Sequence, residues 1–157
     1  MPDMVTSLLV FASPLSHAFI HVDFLHLAVN GLFILAFATR MEKLIGTRPM
    51  LTLYLLSALA GALAVTLNYW ISGTVVYVIG ASGAASGLLG AYIRLTGARV
   101  LVVTAAFIFF NILLARTGML MMGEIQSIAW DAHIGGYLAG LVLIRYLLPR
   151  HKNRPKD

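Results

Sequence analysis

The stretch Thr74-Val75-Val76-Tyr77-Val78-Ile79-Gly80-Ala81-Ser82-Gly83-Ala84-Ala85-Ser86-Gly87-Leu88-Leu89-Gly90-Ala91-Tyr92-Ile93-Arg94 decides how this chain folds. From 74 to 93 it carries no charged side chain, and it ends on an arginine. Residues 74–79 are rich in β-branched side chains, which favour extended backbone, and Gly80 and Gly83 then permit a tight turn. The pattern predicts a loop that enters an apolar medium and starts a helix near Ser82, rather than one straight helix from 74. Irregular backbone at membrane depth is tolerated only where it is buried in protein or lines a wet cavity. Ser82 is therefore expected at a wet spot inside a membrane.

The rest of the chain agrees with a membrane setting. Hydrophobic residues make up 60% and charged residues 11% of its 157 residues, with a mean hydropathy of +0.90. A soluble domain carries charges at roughly a quarter of its positions. Apolar runs at about 24–39, 49–70, 82–98, 99–115 and 131–148 predict an all-α polytopic bundle of about five transmembrane helices. Thr47-Arg48-Pro49 reads as a cap with proline in the first turn. Asn68-Tyr69-Trp70 and Trp130 supply aromatics suited to a membrane interface.

The net charge of +5 does not point to nucleic acid, because the basic residues sit at the ends of apolar runs and not among aromatics. With the first run starting outside, ten basic residues from Arg40 to Lys156 fall on the cytoplasmic side and only Arg116 falls outside. That bias predicts an N-terminus outside and a C-terminus in the cytoplasm, with a bacterial plasma membrane as the expected setting. Residues 1–150 form the expected membrane domain and 151–157 a basic cytoplasmic tail. No cysteine is present, so disulfides, thiol nucleophiles and cysteine metal sites are excluded.

Counting from the arginines sets the depth of the polar groups. Ser82 lies twelve residues before Arg94, and His133 lies twelve before Arg145. If the two helices run the same way, both side chains stand roughly 18 Å above the arginine level. His26 and Asn30, at i and i+4 on the first run, bracket that layer when counted from Arg40. Polar groups at such depth are costly and mark function. Small residues at four-residue spacing (Gly83 and Gly87, Gly136 and Gly140, Ser57 and Gly61) offer faces for close helix packing that would bring Ser82 to His133.

A serine is a weak nucleophile unless a neighbouring base takes its proton, and a neutral histidine can do so. No carboxylate is placed to complete a triad, since Asp131 points elsewhere on its helix. A dyad suffices where burial disfavours the charged imidazolium. Asn30, His26 and the backbone N–H groups at the start of the Ser82 helix are candidate donors to an oxyanion. This chemistry calls for no cofactor and no metal.

Gly80-Ala81-Ser82-Gly83, Ala132-His133 followed by Gly136 and Gly140, and the stretch from His21 to Asn30 resemble the three signatures of rhomboid intramembrane serine proteases. Glu42-Lys43-Leu44-Ile45-Gly46 is similar as well, and the resemblance runs from about His17 to Leu148. It implies Ser82 as nucleophile, His133 as base, His26 and Asn30 as oxyanion donors, and Gly80, Gly83, Gly136 and Gly140 as packing support. It also implies single-pass transmembrane proteins as substrates, cut within the lipid bilayer near a small residue where their helix unwinds.

Two departures stand out. Rhomboids often carry an aromatic residue four positions after the nucleophile, where this chain has Ser86. They also usually have six core helices, so the first is expected to be absent here and the chain to be a fragment or a five-helix variant. The rival readings are a catalytically inactive rhomboid-like protein that binds or escorts membrane clients, and a metal site at His17, His21 and His26.

Overall fold

The computed structural model describes residues 14–21, 23–73, 80–122 and 129–148 (backbone alone for 118–122). After a short 3₁₀ turn at His17–Phe19 come five helices: α1 (Phe24–Ile45), α2 (Thr47–Ser72), α3 (Ser82–Thr96), α4 (Val100–Met122) and α5 (Trp130–Leu147). Among the described residues no strand occurs, and the all-α bundle expected from the apolar runs is what forms. The extended loop expected at 74–79, the N-terminal stretch to 13 and the tail from 151 lie outside the described residues.

The helix ends follow backbone chemistry more than hydropathy. Asp23 caps α1 by accepting the His26 N–H at 2.7 Å, as an N-cap aspartate does. α1 then continues through Arg40, Glu42 and Lys43 to Ile45 and stops at Gly46, whose φ of +87° lies in the region that favours glycine. Thr47 is not the N-cap of α2. That place belongs to Gly46, and the Thr47 hydroxyl donates to Glu42 Oε1 at 2.7 Å. Pro49 does lie in the first turn, where its missing N–H costs nothing.

α1, α2 and α4 as far as Thr117 are long and apolar enough to cross a membrane. The count of about five spans is refined in this respect: α3 has only 15 residues. It lies at the centre of the bundle, with Gly83 to Leu88, Gly90 and Ala91 all buried. α5 packs most extensively on α3, α2 flanks both, α1 lies against α3, and α4 lies mainly against α5. α4 is the most lipid-like surface, with Leu101 and Phe109 86% and 67% exposed.

Small residues set the central contact. A Cβ added at Gly136 would collide with the Gly83 carbonyl oxygen, and one at Gly140 with that of Gly87. Contacts 83–136 and 87–140 advance together, so α3 and α5 run parallel. On α2, Gly61 approaches the Ala132 carbonyl so closely that a Cβ would stand 2.9 Å from it, and Ser57 abuts Gly87. All three small-residue faces seen in the sequence are thus used. The main apolar cluster, Met41, Ile45, Met50, Leu53, Leu88, Ala91 and Ile144, gathers where α1 and α3 end and α2 begins. It fills one half of the bundle, and Ser82, His133, His26 and Asn30 lie in the other half.

Candidate active site

Ser82 is the first residue of α3 and His133 lies in the first turn of α5. Parallel helices in backbone contact hold these two ends level. Ser82 Oγ and His133 Nε2 are 2.7 Å apart, a hydrogen-bonding distance.

The turn before Ser82 is fastened on two sides. The Gly80 N–H donates to the His17 carbonyl oxygen at 2.9 Å. Gly80 has φ +106°, and a Cβ there would lie 2.8 Å from the His26 ring. Any larger residue would therefore be strained and would push on His26. The His17 turn itself packs on α2 and α3 through Ala18, Ala58 and Ala84. Burial pushes the His17 imidazole below the usual histidine value.

His26 and Asn30 come from α1 to the same turn. The His26 ring touches Gly80, and Asn30 Nδ2 lies 3.5 Å from where a Gly80 Cβ would be. Asn30 Nδ2 also donates to the His26 carbonyl at 2.9 Å, which uses one of its two N–H groups. The His26 and His21 rings meet edge to face at 5.2 Å. Among the described residues, no three histidine, aspartate or glutamate side chains converge as metal ligands.

Asp131 is turned away from His133. Its carboxylate accepts from the Asn68 amide on α2 at 3.1 Å and from the Ala132 N–H at 3.0 Å, tying the C-terminal part of α2 to the start of α5. The group that does reach the second imidazole nitrogen is one the sequence reading overlooked. Asn111 Oδ1 on α4 lies 2.8 Å from His133 Nδ1. The same depth count would have found it, since Asn111 lies twelve residues after Arg99 on a helix that runs the opposite way.

A family model described as the Rhomboid domain matches residues 10–150. The chain belongs to the rhomboid family. Rhomboid-like protease 3 of Toxoplasma gondii is 28% identical over 88% of this chain and 52% of its own length. The rhomboid protease GlpG of Pectobacterium atrosepticum is 33% identical over 82% of this chain and 45% of its own length. A putative rhomboid protease of Bacillus subtilis, YdcA, is 29% identical over 86% of this chain and 66% of its own. The chain thus spans about half the length of the first two. Together with three apolar helices, the family makes this an integral membrane protein. Within this rhomboid Ser86 is buried, and the histidine ring is held at both nitrogens by hydrogen bonds to Ser82 and Asn111.

Proposed function

We propose that this rhomboid is an intramembrane serine endopeptidase with Ser82 as nucleophile and His133 as general base. The 2.7 Å approach of Oγ to Nε2 carries the reading. Nε2 takes the Ser82 proton as Oγ attacks the peptide carbonyl carbon, then delivers that proton to the leaving amine nitrogen. A water molecule, activated by the same imidazole, attacks the acyl-serine ester and releases the carboxylic acid and free Ser82. The protease names of the relatives support this chemistry. The substrates are single-pass membrane proteins cut near a small residue where their helix unwinds. The ten-to-one bias of basic residues supports an N-terminus outside and a C-terminus in the cytoplasm.

Labelling of the purified protein with a fluorophosphonate tests the reading. The probe is expected to modify Ser82, located by peptide mapping, and to leave the His133→Ala variant unmodified. Absence of labelling in the folded wild type would make the chain a binder of membrane clients instead of an enzyme.

His26, Asn30 and the N–H groups at the start of α3 are proposed to stabilise the oxyanion. One Asn30 N–H is occupied by the His26 carbonyl, which orients the amide and leaves the other N–H to donate. Asn30→Ala is expected to lower kcat by on the order of tenfold to a thousandfold with a smaller change in KM. Steady-state cleavage of a model membrane substrate checks it. A change confined to KM would make Asn30 a substrate-binding or packing residue.

A further inference from the structure

His133 can serve as a base in only one of its two neutral forms. A neutral imidazole carries one N–H, and a proton on Nε2 would leave no lone pair for the Ser82 hydroxyl. The surroundings of the other nitrogen decide between the forms.

Asn111 supplies the decision. Its Nδ2 stands 2.9 Å from the Phe107 carbonyl oxygen, one turn back on α4. A carbonyl oxygen only accepts, so the amide group facing it is the NH₂. The atom 2.8 Å from His133 Nδ1 is then the amide oxygen. That oxygen also only accepts, so Nδ1 bears the proton and Nε2 presents its lone pair to Ser82. The whole chain of assignment starts from a main-chain carbonyl that cannot turn over.

The placement is fixed by neighbouring contacts between α4 and α5. Phe107, four residues before Asn111, stacks on Tyr137, four residues after His133, with ring centroids 4.4 Å apart. The Tyr137 hydroxyl meets Thr104 Oγ1 at 3.0 Å one turn further on. These rungs set the register of the two helices, so Asn111 arrives opposite His133. Asn111 is only 5% exposed, and breaking its bond there would leave a buried polar group without a partner.

We propose that Asn111 is a positioning residue that locks His133 in the Nδ1–H form and aims Nε2 at Ser82. This rests on the dyad reading above. The amide is neutral, so it works through the place of the proton and the angle of the ring and not by adding a charge beside the imidazolium. Apolar packing on the ring could hold its plane, but it could not choose between the two nitrogens.

The test combines ¹⁵N NMR of histidine-labelled protein in micelles with cleavage kinetics. The His133 signals are assigned by their loss in His133→Gln. The wild type is expected to show a protonated Nδ1 and an unprotonated Nε2. In Asn111→Leu that preference should disappear, and kcat should fall by about tenfold to a hundredfold, with KM within about twofold, as for a misaligned reacting group. A wild-type His133 protonated on Nε2 overturns the proposal, and this measurement needs no folded Asn111 variant. Wild-type kcat in Asn111→Leu overturns it too. Wild-type protein that neither cleaves nor reacts with fluorophosphonate refutes the protease reading itself, which is a different result from an active enzyme indifferent to Asn111.

Discussion

Ser82→Ala is expected to reduce cleavage of a model transmembrane substrate to background, a loss of roughly 10⁴-fold or more. His133→Ala should do the same. The alanine at 82 removes the attacking oxygen, and the alanine at 133 removes the acceptor 2.7 Å from it. Because the two groups act as one unit, the losses are not additive. Ser82→Ala combined with His133→Ala should be no slower than either alone. Both variants should still express and fold, since neither side chain makes the glycine contacts that hold α3 to α5, with some loss of Tm in His133→Ala because Asn111 loses its partner. Substantial activity in either single variant would remove the dyad from the mechanism.

The second large effect is steric. Gly136→Val and Gly140→Val each place a side chain where the carbonyl oxygen of Gly83 or Gly87 already stands. Ordinary contact between such atoms needs about 3.5 Å, so the two backbones must separate by on the order of 1 Å or more. A displacement of about 1 Å between reacting groups costs on the order of a hundredfold in rate. A lowered Tm is expected alongside the lost activity, because the main inter-helix contact is opened. Gly31→Ala is the matched control: a Cβ at Gly31 meets nothing within 4 Å, and alanine suits a helix interior better. Wild-type rate and Tm in Gly136→Val would show that α3 and α5 are held by something other than their glycines.

The helices were legible because charges, the Asn68-Tyr69-Trp70 cluster and the glycines at 80 and 83 mark off the apolar runs. Their ends were not, because hydropathy stops at the first charge and a helix does not. α1 passes Arg40, Glu42 and Lys43 before Gly46 ends it, and α4 passes Arg116. Depth counting placed Ser82 level with His133, and the parallel run of α3 and α5 explains why the count works. A count back from a terminal arginine does not reach Asn111, because α4 follows Arg99 and does not end on it. The helical angle of Asp131 takes it off the His133 face, and its bonds to Asn68 and Ala132 show what occupies it. The approach of Gly80 to His26 depends on how α1 tilts against a turn, which no spacing within either segment encodes.

The shortness of α3 has a consequence for the membrane as a barrier. Fifteen residues make a helix of roughly 22 Å, about 8 Å less than a hydrocarbon core. The backbone donors at its Ser82 end need polar partners that lipid tails cannot give, so that end has to be covered by protein or reached by water. Further along the helix, Leu88 and Ala91 are buried among Met41, Met50, Leu53 and Ile144. Water reaching the Ser82 end would meet this apolar cluster before the other face. On the proposed function, hydrolysis below the surface of the bilayer would then need no conducting path, and the electrochemical gradient across it would be left intact.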